Sequence, residues 1–567
     1  MKQSILTILT CTVCISLCAQ QKAVYDEVNY LLDEDHLTAE VDLNPKISGD
    51  LAIPETIVVG QDTYEVVGIG PKAFAGAKNL TGLVLPSSLK TIWRNALEGT
   101  GIWNNKENWV DGNLVIDSVL IAVDKTCKPK YEFPEGIRIV AAGCFENNKT
   151  VARVEWPAAI TRIEHDMFHG CKNLEKLTIP ATVNWIGEDI LTGSGIANNE
   201  NKWKKGCLMV DGCLISVSKT APAKIDFVAM KVKVPIRLFA CRSFANLEQV
   251  RTVKIPAGVP QIPSACFYQC TGLQTVTIPQ SVTKVDNYAF YGCASLKEAT
   301  LPQTVNYLGA GAFYSCNLLA SQTLNENLNV LPTACFYTCR NLKMIQLPKN
   351  LERIGNGCFA GCSGLEEIQI PKSVRRMGEM ALAGCSHISK VEFPDGLEEL
   401  EKGTCIGCSR LSKVVLPETL YAIGDESFKD CVLLEKIALP NTLFRIGKEA
   451  FYNCIQLEKI NLVNHIHYIE SGAFRQCKRL TEIQIPLSVK EIDSYVFADC
   501  VNLHEVTITD QVTTIGQGAF MNCYLLRDVH WPQSLETIGQ DAFRECHHLK
   551  VPDFDGYVTV GKNAFKR

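Results

Sequence analysis

Twenty-six cysteines stand in the 567-residue chain, and thiols at short fixed spacings are the first candidates for chemistry. Cys405-Ile-Gly-Cys408 has the spacing of a redox dithiol. Cys335, Cys339, Cys358 and Cys362 make up a four-sulfur set of the kind that holds zinc. In an exported chain, abundant cysteine also reads as a disulfide framework. Histidine offers His165 and His169, four apart, and His465 and His467, two apart, without the glutamate of a metalloprotease motif. These are read as surface histidines. Paired acids such as Glu366-Glu367 and Glu398-Glu399 are too common on solvated coils to mark acid–base work. No nucleophile elbow, phosphate loop or dinucleotide fingerprint stands between a strand and a helix. The chain therefore reads as non-enzymatic, with no cofactor and no catalytic or metal-ligating residue assigned.

The elements that position the cysteines give them a simpler meaning. Cysteine recurs at 270, 293, 316, 339, 362, 385, 408, 431, 454, 477, 500, 523 and 546, always 23 residues apart. Three residues before each stands an apolar anchor, from Phe267, Phe290 and Phe313 through Leu382 and Cys405 to Phe520 and Phe543. A proline column (Pro256, Pro279, Pro302, Pro348, Pro371, Pro394) runs in phase. A fixed period of this length means stacked coils. In Leu273-Gln-Thr-Val276-Thr-Ile278-Pro279 the alternation predicts a short half-buried strand, ended by a proline that cannot donate to a ladder. Many corners carry Ile-Gly, as in Ile354-Gly355 and Ile538-Gly539, where glycine suits a left-handed or tight backbone; Glu470 and Asp493 replace it elsewhere. Both cysteine motifs fall on the repeated columns, so the cysteines read as a ladder of buried thiols rather than as redox, metal or disulfide sites.

Upstream, the period is interrupted. Phe145, Phe168 and Leu191 keep the 23-residue step, but 48 residues separate Leu97 from Phe145 and 53 separate Leu191 from Phe244. The two inserts are related at an offset of 94: Gly101-Ile-Trp-Asn-Asn105 matches Gly195-Ile-Ala-Asn-Asn199, and Leu114 to Leu120 matches Leu208 to Leu214. Asp211-Gly212 fits a type I′ turn, so two hairpins are expected to protrude from one side. The organisation predicted is a signal peptide over 1–19, a hairpin cap over 20–60 built from Tyr30-Leu-Leu32 and Leu37 to Val41, and variant repeats over 61–243. Those variant repeats carry inserts at about 98–144 and 192–243, and regular repeats fill 244–567. No second cap is visible near Val560 to Arg567.

The unit Leu-x-x-Val/Ile-x-Ile/Leu-Pro-x-x-Val/Leu-x-x-Ile-Gly-x-x-Ala-Phe-x-x-Cys resembles the BspA-like, Treponema-type leucine-rich repeat. Cys362-Ser-Gly-Leu-Glu-Glu-Ile-Gln-Ile-Pro371 and Ile515-Gly-Gln-Gly-Ala-Phe520-Met-Asn-Cys523 are the clearest copies. The resemblance covers nearly the whole mature chain. It implies an α/β leucine-rich-repeat solenoid of ~20 repeats: a curved right-handed superhelix with a parallel sheet on one face and short helical or irregular turns on the other. It also implies a surface or secreted protein, several relatives being adhesins for host matrix proteins or other bacteria.

Export is predicted independently. Lys2, the apolar stretch Ile5 to Leu17 and Ser16-Leu17-Cys18-Ala19 form a signal with cleavage near Ala19; a lipid anchor at Cys18 is disfavoured by the bulky Leu17. No later segment reaches the ~20 apolar residues of a spanning helix. With 56 basic and 61 acidic residues, no overall field draws the chain to nucleic acid or an anionic membrane.

What the period leaves free to vary is the outward strand face. One column gives Lys390, Lys413, Lys436 and Lys459 on successive coils, followed by Glu482, Glu505 and Asp528. Stacked like charges repel, with Glu435 and Glu458 adjoining two of the lysines, so the column is a candidate ligand-facing stripe. The function expected is adhesin-like binding of a protein or glycan of host matrix or bacterial surface. The alternative is an envelope or matrix protein that self-associates through its last coil.

Overall fold

One coil shows how the repeat closes. After Phe267 the chain turns twice, Cys270 N–H donating to Phe267 O at 3.1 Å and Leu273 N–H to Cys270 O at 3.0 Å. Thr275–Thr277 then runs as a three-residue strand, its centre Val276 buried, in parallel register with Thr252–Lys254. Val282 N–H closes the next corner on Pro279 O at 3.1 Å, and Lys284–Val285 pairs in parallel with Gln261–Ile262. This coil thus carries two short strands, and alternate residues of each face inward because the side-chain period of a strand is two. Irregular turns make up the rest; the α-helix Gly101–Asn104 is a single turn, capped by the Thr100 hydroxyl, which accepts from Trp103 N–H.

These features come from a computed structural model that describes residues 21–33, 36–230, 232–554 and 556–567. The predicted signal peptide, Gln20 and the tip residues Glu34 and Asp35 of the cap hairpin lie outside the described residues. The chain divides into two units, Met1–Phe290 and Tyr291–Arg567, and in each the coils stack as a β-solenoid.

The first unit opens on three antiparallel strands. Val28–Asp33 pairs antiparallel with Thr38–Val41 and, on its other side, with Gln21–Tyr25. Thr38–Val41 then pairs in parallel with Asp62–Ile69, which pairs with Thr91–Ile92 of the first coil. The cap therefore ends the core by continuing its sheet.

The inserts do not protrude. Asn113–Ile116 and Val119–Val123 form a hairpin through Asp117 and Ser118, both in the left-handed region (φ 46° and 63°). Its copy, Cys207–Val210 with Cys213–Val217, turns through Asp211 (φ 45°) and Gly212 (φ 75°). Every residue of Val119–Val123 is buried, and both returning strands join the solenoid by parallel pairing, Leu120 with Val140 and Leu214 with Phe239. A strand of Val-Leu-Ile-Ala-Val has no polar face to offer water, so it packs as coil rather than as an arm.

In the second unit the Phe column forms ring stacks: Phe451 to Phe474 at 5.2 Å and 2° between planes, Phe474 to Phe497 at 5.5 Å and 4°. The last coils are closed by an aromatic cluster, Phe554 meeting Trp531 edge-on at 5.4 Å and Phe565 stacking on Phe543 at 5.4 Å. The Ile-Gly corner is tight rather than left-handed. A Cβ on Gly355 would stand 2.5 Å from Thr333 N, and one on Gly539 2.7 Å from Gln517 N, so glycine lets one coil's backbone touch the previous one. The left-handed residues lie two positions further on, at Gly357, Glu449 and Asp541.

Candidate functional site

The 23 cysteines from Cys127 to Cys546 are buried thiols, and the column has one repeated geometry. Cys477 Sγ donates to Phe451 O at 3.3 Å, Cys500 Sγ to Phe474 O at 3.2 Å, Cys523 Sγ to Phe497 O at 3.2 Å. In every case the acceptor is the anchor residue one coil earlier. That carbonyl already accepts from its own coil's cysteine N–H, as Phe474 O does from Cys477 at 3.1 Å, so the thiol fills the second lone pair of a buried oxygen. Burial pushes the thiols of Cys270, Cys339 and Cys546 up to about 12.

Both chemical readings of the cysteines meet this geometry. Reactive cysteines have depressed pKa values and are accessible. The Cys405 thiol is instead pushed well up, first by its hydrogen bond with Cys408 and then by burial. Cys339 and Cys362 of the four-sulfur set donate to Phe313 O and Phe336 O at 3.1 Å each. Among the described residues no three or more His, Cys, Asp or Glu side chains are grouped to hold a metal ion.

One histidine reading is corrected. His165 is largely buried, stacked on Trp93 (5.5 Å, 5°) with Trp185 edge-on at 5.2 Å. Burial, then the neighbouring Arg162 charge, lowers its pKa to about 4. Its Nδ1 accepts from Glu188 N–H at 3.1 Å, as a neutral ring requires. Beside it Glu164, 2% exposed, receives Arg162 Nε at 2.7 Å and Thr91 Oγ1 at 3.3 Å. Burial raises the Glu164 carboxyl, and Arg162 works against that rise. Arg162 also lies over the Trp185 ring at 3.7 Å. Sequence reasoning missed this cluster. Its signal was a Glu at position 164, the corner that Gly187 fills one coil later.

The stripe residues are brought together on parallel strands. Lys390 stands opposite Lys413, Lys436 opposite Lys459, Glu482 opposite Glu505, and Glu505 opposite Asp528. All are exposed except Glu505, which is half-buried. The ends of the lysine run are neutralised: Lys390 pairs with Glu392 at 3.1 Å and Lys459 with Glu482 at 2.8 Å. That bond lifts the Lys459 ammonium and lowers the Glu482 carboxyl. Glu458 does not relieve Lys459; it pairs with Arg479 at 3.2 Å. Among the described residues Lys413 and Lys436 have no carboxylate within 4.0 Å.

The profile of the BspA type leucine rich repeat region matches in 6 copies, over residues 61–106, 125–200, 237–346, 329–458 and 444–567. This chain belongs to the BspA-type leucine-rich-repeat family. Among solved structures it is similar to a leucine-rich repeat protein from Bacteroides ovatus, with 25% identity and a TM-score of 0.51 over 64% of this chain and 88% of that one. A leucine-rich repeat protein from Eubacterium ventriosum matches at 21% identity and a TM-score of 0.36 over 56% and 83%. A leucine rich cell surface protein from Faecalibacterium prausnitzii matches at 19% and 0.24 over 90% and 94%. A search of the curated proteins found no match. In this BspA-type chain no described helix is long and apolar enough to cross a membrane.

Proposed function

We propose that the chain is a non-enzymatic secreted or cell-surface binding protein, adhesin-like, that contacts a protein or glycan of host matrix or bacterial surface through its strand face. The observation that carries this reading is the column Lys390, Lys413, Lys436, Lys459, Glu482, Glu505, Asp528, in which Lys390 faces Lys413, Lys436 faces Lys459 and Glu482, Glu505 and Asp528 face one another in parallel register, with Lys413 and Lys436 unneutralised. Like charges one coil apart oppose folding modestly, and an anionic partner group would remove that cost. The family and the surface placement printed for the Faecalibacterium protein support export and an interaction role. Charge reversal at Lys413 and Lys436 together should weaken capture of matrix proteins or mucins about tenfold or more and flatten its salt dependence. Unchanged capture by every surface that retains the parent protein would refute the stripe.

A further inference from the structure

In the second unit three consecutive coils break the polarity of a surface column. The residue before the second strand is Asn306, Asn329, Glu352, Arg375 and Glu398, then Tyr421, Phe444 and His467, then Lys490, Thr513 and Glu536. The repeat supplies its own control: this position asks for no aromatic side chain to build the fold. The strands Ala422–Ile423, Arg445–Ile446 and Tyr468–Ile469 pair in parallel, Ala422 to Arg445 to Tyr468, which sets the rings one coil apart. Tyr421 stacks on Phe444 (5.0 Å, 9°), Phe444 on His467 (4.5 Å, 28°), and Tyr468 meets Phe444 edge-on at 5.4 Å. Tyr421 is 51% exposed and Tyr468 56%. Exposed aromatic clusters of this kind mark interaction surfaces.

The charge around the stack says what it takes. Tyr421 N–H donates to Glu398 O at 2.6 Å, so Glu398 lies one coil back, on the side of Tyr421 away from Phe444. Among the described residues no aromatic ring covers that side. Glu399 stands opposite Ala422 on the same preceding coil, and Glu418 precedes Tyr421 by three residues. All three carboxylates are exposed, and among the described residues none has a basic group within 4.0 Å. Arg445, the cation inside the patch, is already held by Asp425 at 2.8 Å and Glu470 at 2.7 Å. An aromatic face bordered on the side of Tyr421 by unneutralised carboxylates is an environment for a cation.

We propose that Tyr421, Phe444, His467 and Tyr468 form the contact face for a protein segment that carries a lysine or arginine beside an apolar side chain. The cation lies over Tyr421 among Glu398, Glu399 and Glu418, and the apolar group lies against Phe444 and Tyr468. This face belongs to the second strand of the coil and uses none of the lysine column, so either surface can fail while the other stands.

The test is fluorescence anisotropy of the full chain with synthetic decapeptides that pair arginine with leucine or phenylalanine. Matched peptides replace arginine with citrulline or with glutamate, and neutral oligosaccharides serve as competitors. The arginine peptide should bind, and citrulline should weaken it about tenfold. Tyr421→Ala, and Glu398→Gln with Glu399→Gln, should each cost a similar factor, whereas Tyr421→Phe and Lys436→Glu should cost little. The exposed positions keep these variants folded, which an unchanged melting curve verifies. Equal binding of the citrulline or glutamate peptide, full displacement by a neutral oligosaccharide, indifference to Tyr421→Ala, or no binding by any peptide would each overturn the proposal.

Discussion

The insert-bearing coils of the first unit and the uninterrupted coils of the second face one problem, burial of backbone oxygens and nitrogens, and meet it differently. In the second unit the answer is repeated: a thiol of each coil donates to the carbonyl of the coil before it, as Cys477 does to Phe451 O. In the first unit the regular coils keep that answer, as Cys171 does to Phe145 O at 2.9 Å, but the inserts assign it to single side chains. Asp117 at the first hairpin tip accepts from Leu85 N–H at 2.8 Å, and Arg138 donates to Pro86 O at 3.0 Å. In the copy Asp211 accepts from Ile179 N–H at 2.8 Å, and Arg237 donates to Pro180 O at 2.7 Å. The duplication thus carried its anchors with it. Repetition spreads a structural requirement over many equivalent groups, whereas an insert concentrates it in a few, so a single lesion should act differently in the two regions.

The largest effect is expected for Phe474→Ala, which empties a ring from the stack and should destabilise the second unit by about 3–5 kcal/mol in urea unfolding followed at Trp531. Arg237→Ala should cost the first unit about 1–3 kcal/mol, because Pro180 O loses its charged donor; hydrogen exchange should show the loss confined to the hairpin and its neighbours. His165 adds a pH dependence to the first unit. Its pKa is about 4 in the folded protein and 6.5 ordinarily, so the unfolded chain takes the proton first and stability falls as pH drops from about 6.5 to about 4. His165→Phe should remove roughly 2 kcal/mol of the loss measured between pH 7 and pH 5, a difference from which the opposite contribution of Glu164 cancels. Cys477→Ala should be the mildest, about 1 kcal/mol, since the Phe451 carbonyl keeps its other donor. A Cys477→Ala cost as large as that of Phe474→Ala would mean that the thiols, not the rings, dominate the repeat.

How much was legible follows the same division. The strands and the buried Phe and Cys columns follow from periodicity, because a repeated slot shows itself thirteen times over in the cysteine column. The type I′ turns were readable at Asp211-Gly212 from turn chemistry alone. The burial of Val119–Val123 and of His165 was not, since each depends on what the neighbouring coil presents. Gly355 was read as left-handed or tight, and only the distance to Thr333 separates the two. In the candidate stripe the column of charges was visible, and Glu458 adjoins Lys459 in sequence, but the Lys459 side chain reaches the next coil to Glu482. Sequence adjacency is a poor guide to which charges meet on a stacked strand face.

The acceptor geometry at the anchor carbonyl has one more consequence. Each coil satisfies its own turn with one lone pair and turns the other toward the coil that follows, so every coil is both a finished piece and a docking template. Length is then a free variable of the architecture. Removing one whole 23-residue register, for example residues 455–477, rejoins Cys454 to a coil of the same kind and preserves every class of contact, whereas removing a few residues would misalign rings, thiols and strands together. The natural increment of change in this molecule is the coil, and reach can be lengthened or shortened without redesigning what holds it up.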